Sequence, residues 1–547
     1  MTGDAHTPAS RRGGRSPRRP AVDPDETIIA SRRALAGREE QTSAPKTRQA
    51  AREVRSHEVR RAIGLTALSA LLPGLGLLWT RRRNIGLLFL GLVAIAAISL
   101  GIIVLSGGLV QGGARLLTTK GLILLLGMCI GGGLLWLAGI VLTAVTTAQL
   151  RWPSQTRALH AGFATLMCLV VAAPTAIATR DVWVTRDTFA SVFQGQSNKD
   201  AVNPGGGSNP WKDIPRVNIL LFGSDAGADR VKQRPDSLIV ASVDTKTGDT
   251  VLVSVPRNMG RAPLPPSNPL YSKYPNGFTC LPGQNDNACG LMEGIWQAGE
   301  DNKDLFPADS EDPGLVTTRD AVTGITGLKI DYTATVDLQG FQQLVDAMGG
   351  VYVNVKPDPN SGYDGIPIGG KLDSAGNVIP GSITGMIKPG YQKLDGFHAL
   401  WYSRSRVASG DDQRMRRQRC MINNLISQVD PFTMVTKFTS IMSVAQKNIR
   451  IDMNQDDLPA FATLAERMKS GNMRSVNISD PVSNSNPNYP KIHSLVQKAI
   501  ETPHNPKAAT PKKSSSPAPS PSSSSTAPSS SSSSTSANPI SDTADSC

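Results

Sequence analysis

Four long apolar runs lie between Ala62 and Ala178, each near the ~20 residues an α-helix needs to cross a hydrocarbon core. They cover Ala62–Thr80 and about Ile85–Leu105, Gly121–Val145 and Ala158–Ala178. Such a chain divides into two chemically different parts. In lipid, backbone polar groups must be satisfied within helices, whereas the remainder folds in water. The first run begins at residue 62, too far along for a cleavable signal peptide.

Charge orients these runs. Of the net +13, much sits in residues 1–61, in pairs such as Arg11-Arg12, Arg18-Arg19, Arg32-Arg33 and Arg60-Arg61. No aromatic platform or recognition module accompanies them, which excludes nucleic acid as the natural partner. A disordered basic cytoplasmic tail beside an anionic leaflet fits better. Arg81–Arg83, Arg151 and Arg157 also mark cytoplasmic loops by the positive-inside rule. Both flanks of the first run are then basic on one side. Residues 62–80 are therefore expected to be re-entrant or interfacial, broken at Pro73-Gly74, with spans at about 85–105, 121–145 and 158–178. The expected location is a multi-pass cell-membrane protein, N-terminus cytoplasmic, with everything after Arg180 outside. Four ordinary spans are the alternative. The three later runs contain no charged residue, so no transport path is indicated within them.

After an expected linker over 181–210 the pattern becomes α/β, and residues 211–502 read as one domain. Strands are expected at Val217–Phe222, Leu238–Val243, Thr250–Val255, Tyr332–Val336, Val351–Val355 and Ala399–Tyr402, several continuously aliphatic as in strands buried on both faces. The turn Lys246–Asp249 joins two of them as a hairpin. Helices are expected at about Leu338–Met348, Gln413–Val429, Met434–Asn448, Leu458–Ser470 and Ile492–Glu501. The Pro-, Gly- and Asn-rich stretch Ala262–Asp312 reads as a long loop over the site. Residues 503–547, rich in Pro, Ser and Thr, lack the apolar content to bury a core and are expected to be disordered. Cys280 and Cys289 flank a polar loop without histidine. Outside the cell, a disulfide fits them better than free thiols. Cys420 and Cys547 have no obvious partner.

Several residues stand where chemistry gathers. Asp225 follows the strand Val217–Phe222, and Asp236 precedes the next, so the two carboxylates can meet across a short loop. A divalent metal such as Mg²⁺ takes one or two carboxylates, then phosphates and water. Turn-forming or capping roles are the alternative. Arg257 ends a third strand, with Arg261 four residues on. On a strand, Tyr402, Arg404 and Arg406 would share a face. Arg414 and Gln418 lie one helical turn apart with Arg417 near that face, and Asp411 or Asp412 can cap the helix. A solvated helix face is the blander reading of RMRRQR.

With these residues in view, the chain resembles the LytR-CpsA-Psr (LCP) family of cell-wall ligases, over about Val217 to Val429. The resemblance is carried by VNILLFGSD, RPDSLIVASVDTKTGDTVLVSVPRN, and LDGFHALWYSRSR followed by RMRRQ. The last two correspond to a hairpin ending in PRD and to LDG-x-x-AL-x-Y-x-R-x-R…R-x-x-RQ. The aspartate of PRD is Asn258 here.

The resemblance implies an α/β fold: a three-layer α/β/α LCP-type extracytoplasmic domain after an all-α multi-pass membrane region. It also implies a transferase that moves a glycopolymer from a polyprenyl-pyrophosphate carrier to peptidoglycan with Mg²⁺. Asp225 and Asp236 would hold the metal. Arg257, Arg261, Arg404, Arg406, Arg414, Arg417 and Gln418 would grip the pyrophosphate. Asp236, Arg257 and Arg404 would be catalytic. A lipid pyrophosphate hydrolase using the same pocket, and a non-catalytic envelope scaffold or lipid-binding regulator, are the alternatives.

Overall fold

The computed structural model describes residues 53–193, 201–224, 235–502, 540–542 and 547, with shorter gaps inside these ranges, the longest at 429–440. Asp225, the basic tail up to residue 52, most of the helix expected over Met434–Asn448, and residues 503–539 lie outside the described residues.

Among the described residues, three helices are long and apolar enough to cross a membrane. Helix α1 covers residues 53–71 and stops at the expected break. A 3₁₀ turn, Leu75–Trp79, follows, with Gly74 in the left-handed region at φ 76°. Then come α2 (Arg83–Leu105), the short α3 (Gly108–Leu116), α4 (Thr119–Thr147) and α5 (Ser154–Val192). A broken helix leaves carbonyls open. Here Trp136 Nε1 of α4 donates to the carbonyls of Ser69 and Ala70, at 3.2 and 3.1 Å. Gly76 N donates to Ser69 Oγ at 3.0 Å, and that hydroxyl lies 2.7 Å from Thr143 Oγ1. The break thus finds polar partners inside the protein, the condition for non-helical backbone at membrane depth. Helix α5 runs on past the expected end of the fourth apolar run, so the stretch expected as a linker is helical up to Val192.

The water-soluble part is built on a mixed sheet. Its strands are β1 (Arg216–Ser224), β2 (Pro235–Asp244), β3 (Thr250–Val255), β4 (Tyr332–Asp337), β9 (Ile449–Ile451), β10 (Met473–Asn477) and β11 (Ile540–Asp542), in the order β11-β10-β3-β2-β1-β4-β9. Strands β2 and β3 form the expected hairpin and β1 extends it to an antiparallel meander, whereas β1/β4 and β3/β10 pair in parallel. Two small ribbons pair β5 (Val351–Val355) with β8 (Gly390–Leu394), and β6 (Ile366–Gly369) with β7 (Ile383–Ile387).

Alternation along the strands divides the core. Leu238 and Val240 of β2, with Val251, Val253 and Val255 of β3, face helices α7 (Pro313–Thr326) and α12 (Tyr489–Glu501). Ile239, Ala241 and Leu252 face α10 (Asp411–Gln428) through Ile422 and Ile426. Helices α8 (Leu338–Met348) and α9 (Gly396–Arg404) pack with the ribbons in a neighbouring core. The result is the expected three-layer α/β/α arrangement.

Two expectations change. The stretch Ala262–Asp312 is no loose cover: Leu264, Leu270, Tyr274, Phe278, Met292, Trp296 and Phe306 supply much of the first core. It includes the short α6 (Ile295–Glu300), and the Cys280–Cys289 disulfide closes its polar turn. Ala399–Tyr402 is helix, within α9, rather than strand. Asp395 accepts a bond from His398 N and starts that helix, a cap signal that outweighs the aliphatic and aromatic run behind it. Helix α11 (Leu458–Ser470) lies where expected.

Cys547, which lacked a partner in the sequence, is bonded to Cys420 of α10, and β11 pairs with the open edge of β10. Such an edge offers free N–H and C=O groups to any added strand. The bridge spans 127 residues of sequence. Closing a loop of that size restricts the unfolded chain, so Cys547→Ser should lower stability by about 2–4 kcal/mol. Calorimetry under non-reducing conditions checks this, and coincident transitions would show that the bridge contributes nothing.

Asp312 caps α7 by accepting from Leu315 N at 2.9 Å. Burial, with Glu300 nearby, raises its carboxyl to about 6. A carboxyl raised on folding contributes stability that is complete below the unfolded value near 4 and is lost as pH rises through about 6. Asp312→Asn keeps a capping oxygen, so its urea midpoint should lose that downward step between pH 4 and 6. An unchanged pH profile would contradict this.

Candidate active site

The site begins with an irregularity in the sheet. Gly223 pairs with Ser237 and Ser224 with Pro235, which leaves Asp236 as the extra residue of a β-bulge between β1 and β2. A bulge breaks the ladder and re-aims its side chain. The Asp236 carbonyl accepts from Arg414 Nη1 at 2.6 Å. Its carboxylate oxygen Oδ1 lies 3.0 Å from Arg406 Nη2 and 3.4 Å from Arg257 Nη1.

Second acids hold each arginine in turn. Glu293 approaches Arg257 at 3.2 Å, and Asp411 approaches Arg414 at 2.8 Å and Arg406 at 3.6 Å. Arg414 is only 2% exposed. Burial, followed by repulsion from Arg414, pulls Arg406 down to about 10, so it remains charged at neutral pH.

Because Ala399–Tyr402 is helical, Tyr402, Arg404 and Arg406 do not share a strand face. Tyr402 is buried, while Arg404 is the last residue of α9, its guanidinium 5.1 Å from the Trp401 ring centroid. The chain leaves the helix in an extended conformation at Ser405, and that exit carries Arg406 to Asp236. Arg417 has another duty. Its Nε donates to the Tyr402 carbonyl at 2.7 Å and its Nη2 to the Ser405 carbonyl, closing the end of α9. Gln418 accepts from Ser237 Oγ at 3.2 Å.

Two cavities meet here. One, of about 260 Å³, lies between the sheet and helices α8, α9 and α10. Leu221, Ile239, Val336, Phe341, Leu344 and Ile422 make most of it apolar, and Ser224, Asp236, Arg404 and Gln418 form its polar end. The other, of about 270 Å³, contains Arg257, Arg406 and Trp401, and shares Asp236 and Arg404 with the first. An oily chamber ending at forked cationic donors is suited to an amphiphile with a phosphate head.

Arg261 stands apart. It is an exposed residue at φ 55° and lines a separate cavity with Asn276, Asn486 and Tyr489. The structure therefore brings together Asp236, Arg257, Arg404, Arg406, Arg414 and Gln418, and directs Arg261 and Arg417 elsewhere. Glu293 was not legible in the sequence, because the stretch around it has no pattern. Trp401 was hidden inside the run taken as a strand.

Among the described residues no three carboxylate, imidazole or thiol side chains converge on a point. Asp236, on the wall of both cavities, suits Mg²⁺, which needs only one or two carboxylates when phosphates and water complete its shell.

A profile of the LytR_cpsA_psr family matches residues 187–274 and 277–502, more than half of the chain. The chain belongs to the LytR_cpsA_psr family. It is 26% identical over 276 residues to Biofilm regulatory protein A of Streptococcus mutans, covering 49% of this chain and 57% of that protein. It is 28% identical over 243 residues to the Polyisoprenyl-teichoic acid–peptidoglycan teichoic acid transferase TagU of Bacillus licheniformis, covering 44% and 61%. The chain thus spans about three fifths of these curated relatives. Among solved structures it is similar to TagV of B. subtilis, at 21% identity and a TM-score of 0.34, covering 52% of this chain and 95% of that one.

Within this family member, the two arginine duties separate experimentally. Arg417→Ala leaves buried carbonyls without donors and should cost about 3 kcal/mol, whereas Arg406→Ala, at a partly exposed ion pair, should cost less than about 1 kcal/mol. Urea unfolding of both variants checks this, and equal losses would refute the division.

Proposed function

We propose that the chain is a membrane-anchored phosphotransferase that moves a glycopolymer from a polyprenyl-pyrophosphate carrier to a peptidoglycan hydroxyl, with Mg²⁺, in cell-wall assembly. Its N-terminus is cytoplasmic and its α/β/α domain extracytoplasmic, following the positive-inside reading of Arg60-Arg61, Arg81–Arg83 and Arg151. One observation carries the reading: the apolar cavity ends at Asp236, Arg404 and Gln418, with Arg257, Arg406 and Arg414 grouped around Asp236. A polyprenyl diphosphate has that same division into oil and anion. Family membership and the printed names of the TagU relatives support it.

In this mechanism the lipid enters the cavity and its diphosphate takes over the guanidinium partners that Asp236 now holds. Arg257, Arg404 and Arg406 neutralise the phosphate oxygens as negative charge shifts toward the leaving group. The acceptor hydroxyl attacks the phosphorus that bears the sugar. The bond from that phosphorus to the bridging oxygen breaks, polyprenyl phosphate leaves with the electron pair, and one oxygen of the Asp236 carboxylate accepts the hydroxyl proton. Asp236 and Asp225 are the carboxylates that would hold Mg²⁺, which would supply further charge neutralisation when bound.

The test uses a lipid-linked glycopolymer donor with and without peptidoglycan. The expected product is polymer on peptidoglycan, with polyprenyl phosphate released in equal amount. Arg406→Ala and Asp236→Ala should each lower the rate by about 10²-fold or more. Ala334→Trp, which fills the apolar cavity, should abolish donor binding. Full activity in all three variants would sink the proposal.

A further inference from the structure

We infer that the cavity at Arg261 docks the acceptor: it binds a carboxylate on the peptides of peptidoglycan while a sugar hydroxyl of the same strand reaches the diphosphate. The inference rests on the function proposed above and deepens it by giving the acceptor a binding site of its own, apart from the lipid cavity and the arginine cluster.

Arg261 is the one residue other than glycine with a positive φ among the described residues. At 55° its Cβ crowds the following carbonyl, a conformation in which glycine would sit at ease. The surrounding backbone imposes it. Arg261 N donates to the Gly290 carbonyl at 3.1 Å, and Phe278 N donates to the Ala262 carbonyl at 2.8 Å. Gly277 packs so closely that a Cβ there would lie 2.4 Å from the Arg261 carbonyl oxygen. A side chain kept at a strained position with its guanidinium exposed points to a use for that guanidinium. The cavity it lines has about 280 Å³, and Arg261 is the one charged side chain among the described residues around it. Asn276 and Asn486 add amides, and three prolines stiffen the wall. Tyr489 closes one side, its hydroxyl donating to the Gly260 carbonyl at 2.6 Å. A guanidinium fork with amide donors suits a small oxyanion, and a carboxylate matches the fork in two parallel bonds.

The position of this cavity assigns the oxyanion to the acceptor. The lipid cavity lies on the α10 side of the sheet, with Ile239 and Ile422 in its wall. The Arg261 cavity lies on the other side, where Leu264 belongs to the first core and Tyr489 packs against it. In phosphoryl transfer the attacking and leaving oxygens stand roughly in line. With polyprenyl phosphate leaving toward the lipid cavity, the acceptor approaches from the side away from it. Arg257, beside Asp236, and Arg261 are four residues apart, so their Cα atoms are separated by at most about 14 Å. A peptide of about four residues spans that gap. The peptides of peptidoglycan are short, hang from the sugar chain and carry carboxylates. One strand can therefore present a hydroxyl near Arg257 and a carboxylate at Arg261.

The experiment uses the full chain in detergent, the lipid-linked glycopolymer donor, and two acceptors: uncross-linked peptidoglycan strands with free carboxylates, and the same strands with those carboxylates amidated. The wild type should show an acceptor KM about tenfold lower for the free carboxylates, the equivalent of one charge-assisted hydrogen bond. Arg261→Ala should raise the KM for the free-carboxylate strands to that of the amidated ones, while kcat and the donor KM stay unchanged. Arg261→Lys should restore part of the preference. Arg261→Gly should lose the preference equally, yet its melting temperature should not fall below that of the wild type, because glycine relieves the backbone. A wild type indifferent to amidation, or a preference that survives Arg261→Ala, would overturn the inference. So would a rise in donor KM, which would assign the cavity to an anion of the donor, or a lowered melting temperature in Arg261→Gly, which would make the arginine structural. Failure of the wild type to transfer polymer to either kind of strand would instead overturn the proposed function.

Discussion

The whole site depends on one extra residue in the sheet. In a regular ladder, Asp236 would place its backbone against β1. The bulge instead turns the Asp236 carbonyl out to Arg414 and its carboxylate to Arg257 and Arg406. Three guanidiniums from remote parts of the chain then gather about one residue. Like charges at this density repel, and the acids Glu293 and Asp411 keep the group together. Such an arrangement is prepared for a stronger anion, which needs only to exchange partners already in position.

The apolar chamber follows from simple alternation. On β1 and β2, the residues facing away from the main core are Leu221, Gly223, Ser237 and Ile239, and they line the cavity. Helix α10 serves both ends of the chamber. Arg414 and Gln418 reach its polar end, whereas Met421, Ile422 and Leu425 continue its oily wall. One helix therefore sets the distance between grease and charge.

Much of this was legible in the sequence for physical reasons. Strands β1 to β5 are short aliphatic runs bounded by turns, helix α8 carries a cap at Asp337 and both α8 and α11 carry an apolar stripe, so local signals and tertiary packing agree. The segment Ala399–Tyr402 was misread because an aliphatic–aromatic run looks the same in a buried strand as in a buried helix turn. The deciding signal was the Asp395 cap before it. Arg417 and Arg261 show a different limit. Arginine spacing places residues on a helix face or after a strand, but whether a guanidinium meets a ligand or a backbone carbonyl depends on long-range contacts. Strands β6 to β10 are short, and their pairing depends on partners distant in sequence. Cys547 found its partner across 127 residues, a separation no local pattern encodes.

The bond from Arg414 to the Asp236 carbonyl joins positions 178 residues apart. During synthesis Asp236 exists long before Arg414 does, so a partly made chain lacks this bond and the guanidinium group around it stays incomplete. Closure of the group is therefore a late event, open only to the finished domain.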